Sequence, residues 1–427
     1  MDSLNQLSAT EAAARIAAGK LKSEALVAAC LERIGQRESE VQAWAAVDPA
    51  LALAQARARD KEPRRTRMHG IPVGVKDVFD TADLPTEYGS PIYRGNRPTC
   101  DAACVAQVRE LGGVILGKTV TTEFATRFPG KTRNPHNLKH TPGGSSQGSA
   151  AAVADWMVPL AFGTQTTSSV IRPAAYCGVV GYKPSFGFVN RAGLKTLSDS
   201  FDHVGTLTRT VRDAALIVEE LSGGPVTSFD AVSRMKPRIG FCRTPYWHHA
   251  DRPTQEALEG AVPRLERAGA RITVIDLDGE FARLVEVQET ISSYEMFRAL
   301  AYERTRFPDL ISEALMGRLL GGSRVARERY EEAQATAQRC RSRLNDVYRD
   351  CDALLAPSAM GEAPEGLAST GDPVFGASWT VLHCPAVTVP VFRGPRGLPM
   401  GAQVIGPLGK DGPSLLCTEW IHRALTT

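Results

Sequence analysis

Apolar residues recur at helical spacing through the first sixty positions and then give way to short β-branched runs set off by turns. Ser8 and Glu11 stand at capping-box spacing at the start of the helical part. The run Leu21-Lys-Ser-Glu-Ala-Leu-Val-Ala-Ala-Cys-Leu repeats its apolar positions every three or four residues, and the Ala- and Arg-rich stretch 50–59 reads the same way. Residues 71–78 are β-branched and flanked by turn formers, which predicts a buried strand. A short helix over 105–111 and a strand at Val114-Ile-Leu-Gly-Lys-Thr follow. Strands alternating with helices predict an α/β sheet with both faces covered.

The pattern stops at 129–149, where almost no apolar side chain occurs. A loop this long inside a folded domain is usually functional. A helix is expected from about Ser149, then a short strand at Pro159-Leu-Ala-Phe-Gly and a second Gly/Ser/Thr-rich turn at 163–169. Farther on, Pro237-Arg-Ile-Gly-Phe-Cys and Arg271-Ile-Thr-Val-Ile-Asp read as strands around a helix near 254–268. Residues 281–350 read as helices with charged, solvated faces. Strand character returns in Ala353-Leu-Leu-Ala-Pro, Pro385-Ala-Val-Thr-Val-Pro and Pro399-Met-Gly-Ala-Gln-Val-Ile-Gly. The expected organisation is one domain over 1–427. Its core lies at 65–220, a mostly helical insertion at 224–350, and a C-terminal part at 351–427 that rejoins the sheet.

Composition narrows the function. A chain of 427 residues, 43% of them hydrophobic, can bury a large core. Fifty basic against 47 acidic residues leave a net charge of only +3. That balance offers no electrostatic footprint for nucleic acid or an anionic membrane. The longest central apolar stretch, 150–162, is too short to span a bilayer and is broken by Asp155 and Pro159. The N-terminus shows no apolar leader segment. Nine scattered cysteines without a CxxC pair argue against a disulfide framework or a zinc site, and reduced thiols fit a cytoplasmic protein.

Three segments carry candidate chemistry: Gly74-Val-Lys76-Asp77, Gly143-Gly-Ser145-Ser146-Gln-Gly-Ser149 and Gly163-Thr-Gln-Thr-Thr-Ser168-Ser169-Val-Ile-Arg172-Pro. A serine hydroxyl is a weak nucleophile until a base takes its proton. A lysine serves as that base only when neutral, which requires burial or neighbouring positive charge. Lys76 follows Val73, Gly74 and Val75, so burial is expected; a surface pair with Asp77 is the bland alternative. The Gly-rich loop at 143–149 is not a Walker loop, because no Gly-Lys-Ser/Thr follows. Successive N–H groups from Thr166 to Ser169 can form a concavity that holds an oxyanion.

Taken together, the order and the spacing of the three segments resemble the amidase signature family, and the resemblance covers nearly the whole chain. It implies a mixed central β-sheet covered on both faces by helices. It also implies an acyl-enzyme mechanism in which Ser169 is the nucleophile, Ser145 the bridging serine after a cis peptide bond, and Lys76 the base. Ser146 is then a supporting neighbour. The oxyanion rests on the backbone of Thr166, Thr167, Ser168 and Ser169, with no metal and no cofactor. Two glycines usually precede the family's nucleophile, and here they are Thr167 and Ser168. Either this is a tolerated variant that narrows the pocket, or it weakens the oxyanion hole; a φ above zero at Thr167 would strain a β-branched residue. The run Ser169-Val-Ile-Arg172 resembles malonamidase-type members, in which the shifted arginine can meet a substrate carboxylate; a loop-bracing arginine is the alternative.

The residues outside these segments are expected to be structural: Cys177 as a small buried hydrophobe, and His136, His140 and His203 as loop or pocket supports. The expected activity is hydrolysis of a small linear amide, with an anilide, a carbamate and the half-amide of a dicarboxylic acid as the alternatives. The expected partner is that small molecule, without nucleic acid or membrane, and a homodimer is compatible. Two other readings stay open: a glutaminase component of an amidotransferase, and a catalytically weakened binding protein.

Overall fold

Among the described residues eleven strands join in one sheet, and the candidate site lies where two neighbouring parallel strands end. The computed structural model describes residues 3–277 and 279–426. The strands are β1 Trp44–Val47, β2 Pro72–Lys76, β3 Val114–Thr119, β4 Leu160–Gln165, β5 Val180–Lys183, β6 His203–Thr208, β7 Arg238–Cys242, β8 Arg271–Ile275, β9 Ala353–Pro357, β10 Ala386–Arg393 and β11 Pro399–Ile405. Their order across the sheet is β1-β3-β2-β4-β6-β5-β10-β11-β9-β7-β8. The sheet is mixed. β2 runs parallel to both β3 and β4, and β7 runs parallel to β8 and β9. β4, β6, β5, β10 and β11 form an antiparallel stretch between these parallel ends.

The helices are α1 Ala9–Ala17, α2 Ser23–Val41, α3 Pro49–Lys61, α4 Ala103–Glu110, α5 Gln147–Ala154, α6 Ile171–Cys177 and α7 Val211–Ser222. They continue as α8 Arg252–Ala268, α9 Leu284–Ala299, α10 Ala301–Arg306, α11 Glu313–Ser323, α12 Arg327–Val347, α13 Val374–Val381 and α14 Asp411–Thr426. Ser8 caps α1 in a reciprocal capping box with Glu11, as its spacing predicts. The expected strand over 71–78 is β2, and its residues are buried throughout. A strand between two sheet neighbours with both faces covered reads as a continuous apolar run, as Pro-Val-Gly-Val does here. No helix among the described residues is long and apolar enough to cross a membrane.

One element differs from the sequence reading. Residues 44–47 form β1 at the sheet edge inside a region expected to be helical throughout. The run Trp-Ala-Ala-Val is too short to show a period, and its pairing with β3 decides its state. The two strands expected within 224–350 form as β7 and β8 and close one end of the sheet. Apolar residues of α9 (Leu284, Val287, Ile291) and α12 (Ala337, Leu344) share a buried cluster with Trp379 and Val381 of α13. That cluster seats α9 beside the turn after β4, which Gln288 reaches.

Candidate active site

Lys76 is the last residue of β2 and is fully buried. Its Nζ lies 2.8 Å from Ser145 Oγ, 3.1 Å from Ser146 Oγ and 2.7 Å from Thr164 Oγ1. Burial pushes this amine well below the usual lysine range, while the charge of Asp202 acts in the opposite sense. Asp77 does not pair with Lys76. It faces Lys118 at 3.1 Å, and both of those groups are buried. A neutral amine has two N–H groups to donate and one lone pair to accept. The Ser146 hydroxyl donates to the Thr164 carbonyl at 3.3 Å and accepts from the Thr164 N–H at 3.2 Å. Its proton is thereby committed, so toward Lys76 it can only accept. The lone pair of the amine is left for a proton from Ser145 or Thr164.

Ser145 follows a cis peptide bond from Gly144. Gly143, at φ 82°, makes the preceding turn, and a Cβ there would come within 2.9 Å of Pro173 Cα. The loop leads into α5, whose first residue is Gln147. The 163–169 turn leaves β4 at Gln165 and enters α6 at Ile171. One backbone bond, from Ser146 N–H to the Ser169 carbonyl at 3.3 Å, ties the two loops together. Among the described residues no hydrogen bond joins the Ser145 and Ser169 hydroxyls. Ser169 is half-buried and opens on a chamber of about 30 Å³ whose wall also includes Thr166, Thr167 and Arg172. An outer cleft of about 670 Å³ shares Arg127, Thr167, Gly371 and Pro373 with that chamber.

The turn carrying Ser169 is held from several sides. Gln165 Oε1 accepts from the N–H groups of Val170 and Ile171 at 3.0 and 3.1 Å. Its Nε2 donates to Thr380 Oγ1, and that hydroxyl lies 2.8 Å from the Thr167 carbonyl. Thr166 Oγ1 donates to Asp202, which also accepts from the N–H groups of Leu197 and Ser198. Gln288 of α9 donates through Nε2 to the Thr166 carbonyl at 3.0 Å and to Thr167 Oγ1 at 2.9 Å. No protein group among the described residues accepts from the N–H groups of Thr166, Thr167, Ser168 or Ser169.

Thr167 and Ser168 do not have positive φ, so the strain anticipated for a β-branched residue here does not arise. The side chain of Ser168 turns toward Gly376 of α13, where a Cβ would sit 2.4 Å from its Oγ. That helix makes room for a residue larger than glycine. Arg172 is 4% exposed. Its Nη2 donates to the Gly144 carbonyl at 2.8 Å and to Thr370 Oγ1 at 3.1 Å, which braces the loop under Ser145. Its Nε and Nη1 are buried without a partner.

The other candidates have structural surroundings. Cys177 is buried, its thiol pushed up by burial and directed at the Pro142 carbonyl. His136 and His140 contact the carbonyls of Cys177 and Ala363 at 2.9 and 2.8 Å, and His203 contacts that of Phe201. All nine cysteines are free. Sequence reasoning missed Thr164, Gln165, Asp202, Gln288 and Thr380. Thr164 and Gln165 lie within the motif segment, and placing them on β4 would have pointed Thr164 at the Lys76 strand. Gln288 is a polar residue on a charged helix, and its role depends on long-range packing.

Known proteins agree with this architecture. The Amidase family description matches residues 25–415. One component of the glutamyl-tRNA(Gln) amidotransferase from Roseiflexus castenholzii is 32% identical, over 95% of this chain and 93% of its own. The native peptide amidase from Stenotrophomonas maltophilia superposes with a TM-score of 0.84 at 28% identity, covering 99% of this chain and 97% of its own. A structure described as a vestigial protein complex bearing on the origins of an s-triazine catabolic enzyme superposes with a TM-score of 0.88 at 26% identity, with 98% of both chains covered. On a match of this extent, with an α/β fold shared throughout, the chain belongs to the amidase signature family.

Proposed function

We propose that this protein is an amidohydrolase that cleaves the C–N bond of a small linear amide, anilide or carbamate through Ser169, Ser145 and Lys76. The observation that carries this reading is the fully buried amine of Lys76, 2.8 Å from the Ser145 hydroxyl in a loop bonded to the Ser169 turn. In the free enzyme neutral Lys76 accepts a proton from Ser145. Substrate brings Ser169 and Ser145 together, since catalytic hydrogen bonds often tighten only in the substrate complex. Ser145 takes the proton of Ser169 as Ser169 Oγ attacks the carbonyl carbon. The oxyanion is held by the unpartnered N–H groups of the 166–169 turn. The proton returns through Ser145 to the leaving nitrogen, the C–N bond breaks, and water hydrolyses the ester to free Ser169.

The test is labelling by a neutral fluorophosphonate, followed by a screen over amides, anilides and carbamates. Wild type is expected to be labelled and Ser169→Ala to lose the label. A fully labelled Ser169→Ala would remove Ser169 as nucleophile.

A second reading has support in the comparisons: the Roseiflexus relative is one component of an amidotransferase. In that role the chain would release ammonia from glutamine for a partner. Copurifying partner chains, with ammonia release from glutamine and none from other amides, would favour that reading over the free-standing hydrolase.

A further inference from the structure

The sheet ends in β1 on one side and β8 on the other, and only the first edge is protected. β1 has four residues, and its register against β3 breaks between Trp44 and Ala46. A short, irregular edge strand is a poor template for further pairing. β8 pairs only with β7, in an unbroken parallel register from Arg271 to Ile275. Its interior, Ile272-Thr-Val-Ile275, is β-branched throughout and holds no proline, glycine or charge. The Arg271 N–H donates to the Pro237 carbonyl, so the backbone groups of Arg271, Thr273 and Ile275 face β7. Those of Ile272 and Val274 face away, and no group among the described residues pairs with them. The strand is anchored, since Ile272 packs on the main core and Ile275 on the cluster shared by α9, α12 and α13. Val274 is nevertheless 54% exposed. The two ends of the strand carry opposite charge. Arg271 opens it and Asp276 follows it; both are exposed, and neither forms an ion pair among the described residues. A strand running the opposite way past this edge, with the same charges at its own ends, sets Arg271 beside Asp276 twice. A second copy of this chain related by a two-fold axis meets that requirement by symmetry.

We propose that β8 joins two copies of this chain, pairing antiparallel with β8 of the second copy so that the two sheets become one. Thr273 lies on the two-fold axis, opposite itself. In that register Ile272 and Val274 of each copy exchange both backbone bonds with Val274 and Ile272 of the other, and every outward N–H and C=O of the strand is used. A centre on Ile272 or Val274 sets the other of the two against a residue beyond the strand. The side chains of Ile272 and Val274 share a face, so each covers the other across the axis. The inference is independent of the chemistry at Ser169.

Sedimentation velocity and thiol cross-linking of the full chain test this. Wild type is expected to dimerise with a dissociation constant on the order of 10 µM, as suits an interface at the small end of the specific range. Val274→Lys places two like charges beside the axis and is expected to weaken the dimer by about 100-fold or more. Because position 274 is exposed in the single chain, the melting temperature of this variant should match that of dilute wild type. Cross-linking reads the register. It is done in a Cys100→Ser background, since Cys100 is the exposed native thiol. Thr273→Cys should form a covalent dimer under mild oxidation, because facing residues of a non-hydrogen-bonded pair have Cα atoms about 4.5 Å apart. Arg271→Cys should not, because the two copies of residue 271 lie about 13 Å apart. A wild type that stays monomeric at about 100 µM overturns the proposal. So does a dimer that survives Val274→Lys, or one that cross-links through Arg271→Cys and not through Thr273→Cys.

Discussion

To act as the proposed base Lys76 has to be uncharged, and its surroundings favour that state. A charged ammonium would need compensation at the end of β2, and its three near contacts are hydroxyls. Burial depresses its pKa, so the neutral fraction grows as the pH rises through that lowered value. kcat/KM should therefore climb with pH along an acidic limb and then level off. Lys76→Ala should reduce turnover by about 10²–10⁴-fold and remove the limb, the usual range for a lost general base. A Lys76→Ala enzyme that kept the wild-type pH profile would end the base assignment. The neighbouring serines separate by the same reasoning. Among the described residues Ser145 has no other hydrogen-bond partner for its side chain, whereas Ser146 is bound to Thr164 on both its donor and acceptor sides.

At the scale of elements, the turn carrying Ser169 is shaped by helices far away in sequence. α13 receives Ser168 at Gly376, and α9 reaches Thr167 through Gln288. A methyl at position 376 would meet Ser168 Oγ, Cβ and Cα at 2.4, 2.5 and 2.8 Å. Gly376→Ala should therefore lower the melting temperature and kcat together, with a stability cost of about 1–3 kcal/mol for overpacking. In a Ser168→Gly background two of the three clashing atoms are gone, so part of the loss should return. Strict additivity in that double-mutant cycle would show that the two positions do not touch. These dependencies also explain what could be read beforehand. The Gly-rich loop, the strand ending in Lys76 and the turn to Ser169 are local and stood out by composition. Whether Thr167 and Ser168 were strained could not be read, because the answer lies in a glycine some two hundred positions away. The altered pair thus gives no support to a weakened, merely binding protein: the turn is held, and its φ angles are ordinary.

At the scale of the whole molecule, one histidine joins three parts of the chain. His383 follows α13 at φ 62° and stacks on Phe186 with ring centroids 4.1 Å apart. Its Nε2 lies 2.9 Å from the Ser200 carbonyl and 3.0 Å from Arg341 Nη2 of α12. The C-terminal part, the loop before β6 and the helical segment 284–347 all meet at this ring. Neither the helical periodicity of α12 nor the strand pattern of β10 announces such a junction, since each contact spans tens to hundreds of residues. Burial, with the Arg341 charge adding to it, holds His383 down to about 3 from a usual 6.5, and His203 beside it is also pushed well below that value. Between those limits the unfolded chain binds a proton that the folded ring refuses, so stability is full above pH 6.5 and is lost as the pH falls. At 1.36 kcal/mol per pKa unit, the loss from His383 is on the order of 3 kcal/mol by about pH 4 and about 5 kcal/mol over the whole interval. Melting temperature should therefore drop steadily as the pH is lowered from 7 to about 4. Asparagine tolerates the left-handed backbone at this position and carries no titrating group. His383→Asn should accordingly melt lower than wild type at neutral pH, where the stacking on Phe186 is lost, and show a shallower decline with acid. A variant whose melting curve tracked wild type at every pH would show that protonation at this junction does not set the acid limit of the fold.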